Sequence, residues 1–130
     1  MSEFLFAYGT LQPGRAPEEI ASVVAKLELV GEGSAAGVLY DLGEYPGALL
    51  DPSSEKRIFG SVFRLPSDPD LLGALDAYEG YDPDAPNTSL FVRRCCMVAL
   101  TDERELPCWL YEYNREPGSA RVLATGRFEG

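Results

Sequence analysis

A chain of 130 residues can bury one hydrophobic core without disulfide or metal staples, and a hydrophobic content of 45% excludes disorder. The net charge of −10, with no basic stripe interleaved with aromatics, argues against nucleic-acid binding, because acidic surfaces repel phosphate backbones. The sequence contains no histidine, which excludes Ser-His-Asp and Cys-His nucleophile systems, histidine metal sites and the commonest general base.

Residues 3–8 are a short apolar and aromatic run closed by Gly9, the pattern of a first strand entering a loop. In Tyr8-Gly9-Thr10-Leu11 the glycine lets the backbone turn, and successive N–H groups can converge on an anion. The plainer reading is an ordinary strand-to-loop junction, prolonged by Gln12-Pro13-Gly14. Residues 18–26 have helical spacing (Ile20, Val23, Val24, then Leu27), with Pro17 where a first turn tolerates it. Residues 27–30 either end that helix or begin a strand. Residues 35–42 and 56–65 read as strands, separated by the turn signals Tyr45-Pro46-Gly47 and Asp51-Pro52-Ser53.

Ser67-Asp68-Pro69-Asp70 announces a second helix carrying Leu71, Leu72, Leu75 and Tyr78, with Gly80 at its C-terminal cap. A polar loop over 81–89 precedes two long strands, 90–100 and 105–114, joined by the charged turn Thr101-Asp102-Glu103-Arg104. The tail over 119–125 is predicted to be a short helix. Strands dominate without regular βαβ alternation, so we expect a single α+β domain over residues 1–130. Its sheet is largely antiparallel and barrel-like, with a few short helices.

No segment is long and apolar enough to span a bilayer, and no basic-then-apolar leader opens the chain, so a cytoplasmic protein without membrane contact is expected. Cys95, Cys96 and Cys108 lack C-x-x-C spacing and are expected to be buried free thiols. A nucleophilic role for Cys108 is the alternative, but there is no histidine to activate it.

Glu79 is the most informative charged residue. Leu72, Leu75 and Glu79 follow i, i+3, i+7 spacing, which sets the carboxylate along the apolar face. It also stands in the last turn, where the helix dipole disfavours an anion. Burial and dipole together favour the protonated form and raise its pKa toward neutrality, which marks a candidate acid–base residue. The competing reading has the last turn frayed and Glu79 in water. Arg93 and Arg94 fall on opposite faces of a strand, so one turns inward or covers an edge unless both make surface pairs. Trp109, Tyr111 and Tyr113 share a face and read as core packing, with the Tyr113 hydroxyl near the strand end within reach of a pocket.

Several of these segments together resemble the γ-glutamylcyclotransferase-like proteins. Phe6-Ala7-Tyr8-Gly9-Thr10-Leu11 resembles that family's N-terminal Y-G-T-L signature, which ends the first strand and forms the substrate-binding loop. Leu75-Asp76-Ala77-Tyr78-Glu79-Gly80-Tyr81 resembles the segment carrying the family's catalytic glutamate. Tyr45-Pro46-Gly47-Ala48 resembles a Y-P motif between the two, Cys108-Trp109-Leu110-Tyr111-Glu112-Tyr113 the late aromatic strand, and residues 122–128 the terminal segment. One departure is Phe91, two positions before Arg93, where many relatives carry tyrosine.

The resemblance implies an enzyme acting on a γ-glutamyl small molecule. The substrate's α-amino group attacks its own γ-carbonyl, releasing 5-oxoproline and an amine or amino acid, with no metal or redox cofactor. Glu79 is then the catalytic general acid/base. Tyr8, Gly9, Thr10 and Leu11, with Tyr113, bind substrate through its α-carboxylate or the developing oxyanion. The leaving amine and the oligomeric state stay open, and the alternative is a binding protein that keeps the same pocket without turnover.

Overall fold

The computed structural model describes residues 3–9, 18–43 and 45–128. In chain order the elements are β1 (Phe4–Ala7), α1 (Glu18–Val24), β2 (Glu28–Asp41), β3 (Pro46–Leu50), β4 (Arg57–Arg64) and α2 (Pro69–Glu79). A single 3-10 turn (Pro86–Thr88), β5 (Phe91–Leu100), β6 (Glu105–Tyr113) and β7 (Arg121–Val122) follow.

Five strands close into a ring in the order β2-β4-β1-β6-β5 and back to β2. Every pairing in the ring is antiparallel except β1 with β6, which run parallel with Leu5 opposite Trp109. β3 and β7 are additional strands on the outer length of β2. This is the expected barrel-like α+β domain with few helices. A bulge between Leu29 and Gly31 bends β2, which pairs with β4 over most of its length and meets β5 at Gly33 and Ser34.

Alternation along the ring strands separates two layers of buried side chains. Phe6, Ala35, Leu39, Ile58, Val62, Val98, Leu100, Cys108 and Leu110 pack together as the barrel interior. Leu5, Ala7, Phe63, Phe91 and Tyr111 face the other way and pack under Ile20 and Val24 of α1 and Leu71 and Leu75 of α2. β1 is therefore covered on both faces, which is why its sequence is an unbroken apolar run rather than an alternating one.

Of the two readings of residues 27–30, the strand holds from Glu28, so β2 runs 14 residues rather than starting near Ala35. Other expectations are corrected. The tail predicted as a helix over 119–125 instead supplies β7, with Tyr40 opposite Val122 and the Leu123 N–H donating to the Leu39 carbonyl at 2.8 Å. So short a segment makes a marginal helix, whereas an exposed strand edge offers immediate partners. The three cysteines are free, but only Cys108 is buried and Cys95 is exposed. Cys96 packs against the barrel interior, so its neighbour must point outward, to a face the helices leave uncovered.

Candidate active site

Helix α2 is anchored at both ends. Asp68 caps its start, the side chain accepting from the Asp70 N–H at 3.0 Å. At the far end Gly80 adopts the left-handed conformation at φ 73°, favourable for glycine and strained for other residues. The Gly80 and Tyr81 N–H groups donate to the Ala77 and Asp76 carbonyls at 3.3 and 2.9 Å, a Schellman closure. The Leu90 N–H then donates to the Gly80 carbonyl at 3.1 Å, tying the helix end to the entry of β5. The last turn is therefore capped rather than frayed, and Glu79 is held against the barrel wall in line with buried Leu71 and Leu75.

Glu79 lines a cavity of about 270 Å³ between α2 and the barrel. Its walls come from β1 and its following residues (Phe6 to Gly9), from Tyr45 and Pro46, from Tyr78 to Gly80, and from Leu90, Phe91 and Tyr111. Pro46 packs so closely on Gly9 that a Cβ there would meet its ring at 2.9 Å. The two motifs carrying these residues are thus in direct contact across the cavity. Burial among these apolar and aromatic walls raises the Glu79 pKa from 4.5 to about 7. Among the described residues no basic side chain forms an ion pair with Glu79.

The residues singled out from the sequence divide into three groups. Tyr8, Gly9 and Glu79 line one cavity. Thr10 and Leu11 lie outside the described residues. Tyr113 is not among the residues lining the cavity. Its ring packs on Phe91 with centroids 5.6 Å apart, and the tyrosine that β6 contributes to the cavity is Tyr111. Tyr8 presents its wall but not a free hydroxyl, which is buried, donates to the Tyr111 carbonyl and accepts from the Ala48 N–H at 3.4 Å. Burial, then the nearby Glu79 charge, push the Tyr8 pKa well above its ordinary value.

Sequence reasoning missed a polar network behind the cavity. The Tyr111 hydroxyl donates to Asp76 Oδ1 at 2.6 Å, and Asp76 Oδ2 lies 3.2 Å from a guanidinium nitrogen of Arg93. Arg93 is the inward-facing arginine, its guanidinium 4.8 Å from the Trp109 ring centroid and 5.7 Å from that of Tyr81. One signal was available: Asp76 stands three residues before Glu79 and beside Leu75, so helical spacing sets it near the same side of the helix as Glu79. Cys108 offers no competing nucleophile, since burial pushes its thiol up to about 12.

Residues 5–129 match the family described as gamma-glutamyl cyclotransferase, AIG2-like. No curated sequence is a significant match to the chain. Among solved structures, YkqA from Bacillus subtilis is similar with a TM-score of 0.71 at 19% identity. That likeness covers 98% of this chain but only 40% of YkqA, so this chain spans well under half the length of that relative. Protein ytfP from Escherichia coli is similar at a TM-score of 0.66 and 23% identity, over 97% of this chain and 96% of its own. An AIG2-like protein from Mus musculus is similar at 0.68 and 21% identity, over 89% and 80% of the two chains. Sharing their fold, and matched to the family over nearly its whole length, the chain belongs to the gamma-glutamyl cyclotransferase, AIG2-like family.

Proposed function

We propose that the protein is a cyclotransferase that releases 5-oxoproline and a free amine or amino acid from a γ-glutamyl amide, with Glu79 as the proton-transfer group. The observation that carries this reading is a carboxylate of pKa about 7, held by a capped helix end in an apolar cavity against the Tyr8-Gly9 junction.

The chemistry follows from the substrate. Its α-amino nitrogen attacks the γ-carbonyl carbon, closing a five-membered lactam and placing negative charge on the carbonyl oxygen. Collapse of that adduct breaks the bond to the amide nitrogen, which leaves as the amine. Holding nitrogen and carbonyl in contact supplies much of the rate, since well-oriented intramolecular reactions reach effective molarities on the order of 10⁵–10⁸ M. Glu79 as carboxylate takes a proton from the α-ammonium and as carboxylic acid returns it to the departing nitrogen, while the ring nitrogen's second excess proton passes to the released amine, which leaves as its ammonium. A group with pKa near the working pH performs both transfers, where an ordinary glutamate is too weak a base. The main chain of residues 8–11 serves an anionic oxygen of the substrate, either the α-carboxylate or the developing oxyanion.

The test is a panel of γ-glutamyl amides, with amine and amino-acid leaving groups, assayed for 5-oxoproline by mass spectrometry. We expect at least one to be converted, and Glu79→Gln to slow conversion by at least 10²- to 10⁴-fold, the usual worth of general acid–base catalysis. Turnover by the glutamine variant within a few-fold of wild type removes Glu79 from the mechanism.

A further inference from the structure

Tyr111 is engaged at both ends. Its carbonyl accepts from the Tyr8 hydroxyl, and its own hydroxyl donates to Asp76 at 2.6 Å. A phenol has one proton, so a Tyr111 oxygen committed to Asp76 can only accept from anything else. Asp76 is locked by Arg93, with the two side chains only 9% and 19% exposed, and Arg93 is held in turn against Trp109 and Tyr81. Burying such a pair is costly, and the Schellman closure that ends α2 is made by main-chain groups, without the Asp76 side chain or Arg93. Tyr111 nevertheless lines the same cavity as Glu79, close enough for the Glu79 charge to act on its hydroxyl.

Glu79 and Tyr111 thus line one largely apolar cavity, and each carries an oxygen with acceptor capacity left over. That arrangement suits a ligand group with several N–H donors on one atom, which in a γ-glutamyl amide is the α-ammonium. We propose that Tyr111 binds the substrate α-ammonium through its hydroxyl oxygen, and that Asp76, held by Arg93, is a positioning residue that keeps this hydroxyl turned as an acceptor. The proposal rests on the γ-glutamyl reading of the cavity. Tyr111 shares the ammonium with Glu79 until the proton is taken, and then keeps the neutral nitrogen aimed at the γ-carbonyl.

Binding to the full chain carrying Glu79→Gln, in which conversion is expected to be at least 10²-fold slower, separates this role from a structural one. Calorimetry compares a γ-glutamyl amide that the wild type converts with its glutaryl counterpart, identical except for the missing α-amino group. Adding Tyr111→Phe should weaken the γ-glutamyl ligand by about 10-fold or more, the worth of a hydrogen bond to a charged group. The glutaryl ligand should stay within about 2-fold. Asp76→Asn lets the side-chain amide donate to Tyr111 and turns the phenol proton toward the cavity, so it should bring the same selective loss. In a Tyr111→Phe background Asp76→Asn should add less than about 2-fold. Equal weakening of both ligands, or of neither, by Tyr111→Phe overturns the proposal, and that variant deletes a single oxygen whose effect on folding its melting temperature reports. A loss from Asp76→Asn that persists undiminished without the Tyr111 hydroxyl overturns the positioning role. If the wild type converts no γ-glutamyl amide, the substrate reading falls and takes the proposal with it.

Discussion

Replacing Glu79 with glutamine tests the central electrostatic claim without any substrate. The native state raises the carboxyl pKa from 4.5 to about 7 through burial. Between those values the folded protein binds a proton that the unfolded chain has released, so this group's contribution to stability falls as pH rises. Below 4.5 the side chain is neutral in both states and the penalty is absent, and above 7 the penalty is fully present. At about 1.4 kcal/mol per pH unit the rise sets a ceiling of ~3 kcal/mol. Because the carboxylate is partly exposed at the cavity, screening reduces this to ~1–2 kcal/mol. Glutamine keeps the side chain's size and removes the charge, so Glu79→Gln and wild type should unfold alike near pH 4.5. Near pH 8 the variant should be the more stable, melting roughly 3–8 °C higher. Urea unfolding at a series of pH values reads the difference between the two curves, in which every other titrating group cancels. A difference that stays flat from pH 4.5 to 8, or that grows with the wild type the more stable, would refute a buried, unpaired carboxylate.

The same ionisation governs catalysis. Glu79 must be a carboxylate to take the first proton, so kcat/KM on a γ-glutamyl amide should climb tenfold per pH unit on the acid side and level off near pH 7. A plateau extending down to pH 5 would assign the base elsewhere. Turnover should survive EDTA, because ring closure needs no Lewis acid, and activity lost to the chelator and restored by one divalent ion would overturn the scheme. Cys96 and Cys108 lie opposite each other on β5 and β6, but both are free, so reductant should leave the melting temperature unchanged. A fall of several degrees would reveal a cross-link.

Glu79 was legible in the sequence because its neighbours state the argument locally. Helical spacing puts it in line with Leu72 and Leu75, Gly80 announces the end of the helix, and the helix dipole sets the sign of the shift. Both long hairpin strands, β5 and β6, were likewise readable from apolar runs broken by one charged turn. β3 was not, because Tyr45-Pro46-Gly47 carries turn chemistry, and Pro46 and Gly47 become strand only where they and Ala48 find a partner edge on β2. β7 has the same cause: two residues acquire strand geometry from the edge they meet, not from their own pattern.

The pairing that joins Leu5 to Trp109 links positions far apart in the chain, and no local spacing encodes it. Yet that parallel contact brings β6 beside β1, and with it the Tyr8 hydroxyl to the Tyr111 carbonyl. Trp109, Tyr111 and Tyr113 alternate identically in the sequence, so nothing local distinguishes which one meets the cavity. The seating of α2 set Asp76 against the Tyr111 hydroxyl, while the Tyr113 ring packed on Phe91. Sequence periodicity determines which way a side chain points from its own element. Which group it then meets depends on the packing of elements remote in the chain, and that is a property of the folded barrel alone.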